Sequence, residues 1–109
     1  MVSVIIPTLN EQATITEVLQ LVKKSKKVTE ILVIDDKSLD STISKAKNEK
    51  VKVYTSTKIG KGASMHDGML LAQNEIIVYL DADILTYPPN IVDLLAGPVI
   101  SGEADFVKS

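Results

Sequence analysis

Four short runs of apolar, mostly β-branched residues recur along the chain: Val2-Ser3-Val4-Ile5-Ile6, Ile31-Leu32-Val33-Ile34, Val51-Lys52-Val53-Tyr54 and Ile76-Ile77-Val78-Tyr79-Leu80. Their length and composition predict strands, and the segments between them are long enough for crossover helices. After the first run, Ile15, Val18, Leu19 and Val22 fall at i, i+3, i+4 and i+7, the spacing of a helix with one face on a core. Asn10 upstream is its candidate N-cap. Ser41 to Lys50, with Asp40 as capping residue, offers only Ile43, Ala46 and the stem of Lys47, which predicts a short surface helix. Ala63, Met69, Leu70 and Ala72 predict a third helix after Gly60 and Gly62, with Met65 and Met69 as core fillers. Ile91, Val92, Leu94 and Leu95 predict a fourth after Pro88-Pro89-Asn90, ended by Gly97-Pro98.

Near-continuous apolar strands alternating with helices predict an α/β, Rossmann-like fold, a mostly parallel sheet with helices on both faces and right-handed crossovers. Ligands of such sheets bind beyond the carboxyl ends of the strands. The polar clusters fall there: Pro7 to Glu11, Asp35-Asp36, Ile59 to Gly62, and Asp81-Ala82-Asp83. The 109 residues fit one small domain, with no internal repeat, low-complexity tract or linker.

Composition narrows the function. The formal charge is −2 and all twelve basic residues are lysine, so there is neither the cationic excess of a nucleic-acid binder nor a guanidinium fork for phosphate. Lys23-Lys24-Ser25-Lys26-Lys27 reads as a solvated helix end rather than a membrane-attracting patch. The absence of cysteine excludes disulfides and thiolate metal sites, and a reducing cytoplasm is the simplest setting. The first apolar run is stopped by Pro7, and no run approaches the ~18 residues of a membrane span.

Among the polar clusters, Asp35 and Asp36 directly follow a strand, so they point to opposite faces and only one can aim into a given site. The other is expected to be structural. The one at the site could accept from a nucleobase N–H; alternatively both cap the following turn. Gly60-Lys61-Gly62 opens a helix where free N–H groups and a lysine can neutralise a pyrophosphate, or it is merely a flexible turn. It is not a P-loop, since Thr55 stands where the first glycine belongs, and no dinucleotide fingerprint follows the first strand. His66, the only histidine, reads as a packing or surface residue of the third helix. Asp81-Ala82-Asp83 is the strongest signal: carboxylates are rarely spent at the end of a buried strand without a partner or cation, and a magnesium-type ion takes one or two of them and completes its shell with phosphate and water. Capping of the turn that follows is the plainer alternative.

Taken together, Val4-Ile5-Ile6-Pro7-Thr8-Leu9-Asn10-Glu11, Ile34-Asp35-Asp36-Lys37-Ser38-Leu39-Asp40 and Asp81-Ala82-Asp83 resemble the first strand and turn, the Asp-Asp-x-Ser-x-Asp segment and the DXD motif of family 2 inverting glycosyltransferases of the GT-A fold. Three motifs in order on the correct strand ends are more specific than any one of them. Within the family, Lys58-Ile59-Gly60-Lys61-Gly62, the Ile76 to Ile84 segment, Leu94-Leu95-Ala96-Gly97-Pro98 and Asp105-Phe106-Val107-Lys108-Ser109 resemble the glucosyl-3-phosphoglycerate synthases, with dolichyl-phosphate mannose synthases a second choice.

The resemblance implies transfer of a sugar from a nucleotide-diphosphate sugar, UDP- or GDP-linked, to an acceptor hydroxyl with inversion. It implies that Pro7, Leu9, Glu11 and Asp36 hold the nucleoside, that Lys61 contacts donor phosphate or base, that Asp81 and Ala82 face the ribose and sugar, and that Asp83 ligates Mg²⁺ or Mn²⁺. The catalytic base of the family belongs to an acceptor-binding region that this chain, stopping at Ser109, does not contain. The chain is therefore expected to be the donor half of a truncated or split enzyme, inactive or incomplete alone, and to self-associate or join a missing acceptor half. Two rival readings stand beside it. A non-catalytic nucleotide-binding or interaction module would keep the donor grip alone, and a haloacid-dehalogenase-type phosphatase would use Asp81 as nucleophile and Asp83 as acid.

Overall fold

The computed structural model describes residues 1–100 and 107–108, with backbone only for residues 61, 97–100 and 107–108. The elements run β1 (Val2–Thr8), α1 (Ile15–Val22), β2 (Val28–Asp35), α2 (Thr42–Asn48), β3 (Lys52–Thr55), α3 (Lys61–Leu71), β4 (Ile76–Tyr79), α4 (Ile91–Ile100) and β5 (Val107–Lys108). The strands form one sheet in the order β3-β2-β1-β4-β5, every pairing parallel. From β1 the chain builds outward through β2 to β3, then crosses to the other side of β1 for β4. The topological switch point therefore lies between β1 and β4. Asp105, Phe106 and Ser109, part of the tail that carries the synthase resemblance, lie outside the described residues.

Strand alternation sorts the core into two layers. Val2, Val4 and Ile6 of β1, Val33 of β2 and Val78 of β4 point to one face, where Ile15, Val18, Leu19 and Val22 of α1, Ala46 of α2, and Val92 and Ala96 of α4 cover them. Ile5, Leu32, Ile34, Ile77 and Tyr79 point to the other, under Met65 of α3 and the adjoining Ala72. Most of these side chains are fully buried, and each large aliphatic one contributes about 1.5–3 kcal/mol of apolar burial.

Pro7 shows how the sheet yields to a cleft. Ile5 O accepts from Leu80 N–H at 3.1 Å on the β4 side, while Thr8 O accepts from Asp36 N–H at 2.8 Å on the β2 side. Alternation then turns the donor-less nitrogen of Pro7 toward β4, whose register with β1 ends at Ile5↔Tyr79. β1 thus continues through Pro7 and Thr8 beside β2 alone, two residues beyond the predicted run.

Three local expectations are corrected. Asn10 does not cap α1: it sits at φ 54°, where asparagine is tolerated, and its Oδ1 accepts from Leu39 N–H at 2.9 Å, tying the β1 loop to the β2 loop. Thr14 precedes α1 without a side-chain cap. The buried face of α3 is not Met69-Leu70 but the small residues Ser64 and Gly68 with half-buried Met65; Met69 and Leu70 are exposed. A Cβ on Gly68 would lie 2.5 Å from Ile5 Cγ2, so α3 settles onto β1 only because that position has no side chain. α4 runs on through Gly97-Pro98 to Ile100 instead of ending there. His66 is exposed on α3. No helix among the described residues is long and apolar enough to cross a membrane.

At the amino end of the strands, far from the predicted site, Glu30 is buried on the α3 face. Its carboxylate accepts from Ser3 Oγ and Lys52 Nζ, each at 2.7 Å, and from Gln73 N–H at 2.9 Å. Burial alone would raise its pKa, but these donors, Lys52 foremost, hold it below its ordinary 4.5. The same contact holds Lys52 above its ordinary 10.5.

Candidate functional site

A cleft of about 410 Å³ opens at the carboxyl ends of β1, β2 and β4, over the switch point. Its walls are Pro7, Thr8, Leu9 and Glu11 after β1, Asp36 after β2, Ile59, Gly60 and Ser64 at the start of α3, and Asp81, Ala82 and Asp83 after β4. The structure thus gathers Pro7, Leu9, Glu11, Asp36, Asp81, Ala82 and Asp83 into one cavity. Lys61 begins α3 beside it, and its side chain lies outside the described set.

Asp35 and Asp36 take opposite roles. Asp35, fully buried on the α1 face, accepts from Thr8 Oγ1 at 2.7 Å, Ser38 Oγ at 2.6 Å and Ser38 N–H at 2.8 Å. It shapes the turn, as capping predicts for one acid of the pair. Asp36, one residue on, is turned to the α3 face, where its Oδ2 accepts from Gly60 N–H at 2.9 Å. Gly60 sits at φ 110°, a conformation natural to glycine, which lets the chain enter α3 with that N–H on the carboxylate.

Neighbouring loops hold these walls. Asp40 accepts from Gln12 N–H at 3.2 Å and from both Thr42 N–H and Thr42 Oγ1, while Thr42 Oγ1 accepts from Glu11 N–H at 2.8 Å, so the Glu11 turn is braced from α2. Desolvation works to raise the Asp40 pKa, and the donors from Thr42 and Gln12 outweigh it, leaving it below the ordinary range. Asp67 of α3 is lowered chiefly by Thr57 N–H, which it accepts at 2.8 Å, fixing the loop that leads to Gly60.

The DXD segment is pinned at two points. Tyr87 Oη accepts from Asp81 N–H at 2.9 Å, and Thr14 Oγ1 donates to Ala82 O at 2.6 Å. Ala82 itself is buried in the α1-side core, so Asp81 and Asp83 flank an anchored residue. Asp83 is exposed at the cleft. Among the described residues no three His, Cys, Asp or Glu side chains converge. A single exposed carboxylate with a second close by suits a hard cation that draws its remaining ligands from phosphate oxygens and water, and not a structural cage. Asp36 and this segment stand on either side of β1, about two strand spacings or ~10 Å apart.

Ser64 also lines the cleft, and Thr14 and Tyr87 support it, without having been singled out in the sequence, whereas Thr8 and Ile59 line it from within the Pro7 to Glu11 and Ile59 to Gly62 clusters. Ser64 and Gly68 form a small-residue i, i+4 pair, the one pattern that marks the true inner face of α3.

A parallel sheet with this switch point and a cleft above it is a Rossmann-like fold, and solved structures place it in the GT-A class. The glucosyl-3-phosphoglycerate synthase of Mycobacterium tuberculosis in complex with Mn²⁺, UDP and glucosyl-3-phosphoglycerate superposes with a TM-score of 0.86 at 29% identity, covering 94% of this chain and 40% of that one. The same enzyme with Mn²⁺, UDP-glucose and phosphoglyceric acid gives the same score and coverage. Residues 3–108 match Glycosyl transferase family 2, and the chain belongs to that family. Among curated relatives, the glucosyl-3-phosphoglycerate synthase of Petrotoga mobilis is 33% identical over 122 residues, and that of M. tuberculosis strain CDC 1551 is 30% identical over 119. Each alignment takes in 99% of this chain but only 38% and 37% of the relative, so the chain spans less than two-fifths of their length.

Proposed function

We propose that the cleft is the donor site of a metal-dependent glycosyl transfer and that it takes a nucleotide-diphosphate sugar, UDP-linked as in the solved relatives. One observation carries this reading: Asp36 and Asp83 bound a single cleft from opposite sides of β1, across the switch point. Asp36, already an acceptor for Gly60 N–H, accepts a base N–H with its remaining lone pairs. Pro7 and Leu9 give the base an apolar wall, and Glu11 closes the nucleoside end. Lys61 at the start of α3 meets donor phosphate or base, Asp81 and Ala82 face the ribose and sugar, and Asp83 holds Mg²⁺ or Mn²⁺. Such an ion, when bound, stabilises the charge growing on the leaving diphosphate. The protein's own part here is to orient: the Tyr87 and Thr14 contacts fix the acids before a ligand arrives, which spares ordering cost on binding.

The reaction completed by this donor grip is displacement at the sugar carbon with inversion, the acceptor hydroxyl being deprotonated by a base. That base, acceptor recognition and any assembly with a partner are assigned to chain beyond these residues or to another subunit. The shared name of the relatives points to a 3-phosphoglycerate-like acceptor.

Calorimetry with UDP and UDP-glucose, with Mn²⁺ and with chelator, tests the donor site. Binding is expected with Mn²⁺ and strongly weakened without it. Asp83→Ala should erase the metal dependence, and Asp36→Ala should cost about tenfold or more in affinity while leaving the metal dependence in place. Absence of binding at millimolar nucleotide with Mn²⁺ overturns the proposal.

A further inference from the structure

Ser64 is 1% exposed, and its Oγ is a buried side-chain polar atom with no hydrogen-bond partner among the described residues. A helical serine commonly turns its hydroxyl back to the carbonyl four residues earlier, which accepts it beside the helix N–H; here Gly60 O receives the Ser64 N–H at 3.1 Å but not the hydroxyl. Buried polar groups are nearly always paired, so an orphan in the wall of a binding cleft calls for a partner from the ligand.

Its position says which part of the ligand. Ser64 lies one turn along α3 from Gly60, whose N–H is on Asp36 Oδ2, and α3 lies over Ile5, Leu32 and Ile34 of β1 and β2. The hydroxyl therefore belongs to the Asp36 end of the cleft, across β1 from Asp83. We propose that Ser64 is a specificity contact to the nucleobase: its Oγ–H donates to a ring carbonyl adjacent to the N–H that Asp36 accepts. In uracil these are a carbonyl and the flanking imide N–H, and the pair reads one edge of the base with one donor and one acceptor. The inference rests on the donor-site reading and adds to it a residue outside the motifs that define the family resemblance.

Ser64→Ala tests it, because alanine keeps the helix and removes only the hydroxyl. Affinities for UDP, uridine and Mn²⁺-pyrophosphate are measured alongside the melting temperature of the ligand-free protein. The expected result is a loss of about tenfold for both UDP and uridine, no change for pyrophosphate, and a melting temperature ~4–8 °C higher as the orphan group disappears. Unchanged UDP affinity in a variant whose parent binds UDP overturns the Ser64 assignment and leaves the donor site standing. Loss of pyrophosphate binding moves the contact to the diphosphate and equally overturns it, as does a fall in melting temperature, which would mean the hydroxyl is satisfied within the protein. A wild-type protein that binds neither UDP nor uridine removes the donor site itself, and this contact with it.

Discussion

Asp35 and Asp36 differ in role by nothing more than the two-residue period of a strand. The first is consumed by Thr8 and Ser38 on the α1 side, and the second is delivered to the cleft on the α3 side. Glu30 obeys the same alternation at the opposite end of β2, where it gathers Ser3, Lys52 and Gln73. Truncating it strands three donors, one of them a lysine, so Glu30→Ala should cost about 2–3 kcal/mol in denaturant unfolding at neutral pH. The pair also sets a pH window. A Glu30 pKa held below 4.5 gives stability that is complete above that value and is lost as pH falls through the lower folded pKa; a Lys52 pKa held above 10.5 gives stability complete below that value and lost as pH rises through the higher one. Unfolding followed across pH should therefore show a flatter acid limb in Glu30→Gln than in the wild-type protein.

At the scale of elements, the decisive fit is α3 on β1. Gly68→Ala puts a Cβ 2.5 Å from Ile5 Cγ2 and 3.0 Å from Cδ1, an overlap expected to cost ~1–3 kcal/mol despite the better helix propensity of alanine. Combining it with Ile5→Ala should recover part of that loss, so the two changes measured by urea unfolding should be less destabilising together than their sum. The failure to foresee this face has the same cause. Met69 and Leu70 carry the apolar signal along α3 but point to solvent, while the helix buries residues chosen for smallness. Hydrophobic periodicity located β1 to β4 and α1, whose faces are mostly aliphatic. It could not locate a packing surface made of Ser64 and Gly68, nor see that Asn10 serves a loop-to-loop bond and not a helix cap. β5, two residues long, is too short to leave a pattern. The cleft acids were legible because Asp36 directly follows β2 and Glu11, Asp81 and Asp83 lie just past the ends of β1 and β4; Ser64, Thr14 and Tyr87 were not, because their roles come from distant elements meeting.

Across the described residues, the candidate cleft and the Glu30 hydrogen-bond cluster occupy opposite ends of the sheet. The carboxyl edge carries exposed Asp83, half-buried Asp36 and a Ser64 hydroxyl with no partner among the described residues, while the amino edge carries the engaged Glu30 cluster. With a net charge of −2, the protein has no general attraction for an anionic ligand, so on the proposed donor-site reading a diphosphate would depend on a bound cation and the N–H groups at the start of α3.

Tyr87 lends this architecture a built-in reporter. Its Oη accepts the amide proton of Asp81, making one exchangeable hydrogen inside the DXD segment a gauge of how firmly that segment is held. Hydrogen exchange of the Asp81 amide, followed by NMR, should be slow in the wild-type protein and at least ~10-fold faster in Tyr87→Phe, with the amides of β4 unchanged. An equal rate in the two proteins would show that the phenol does not secure the loop. If the gauge works, closure of the acidic segment around a ligand becomes visible at a single atom, with no label and no turnover required.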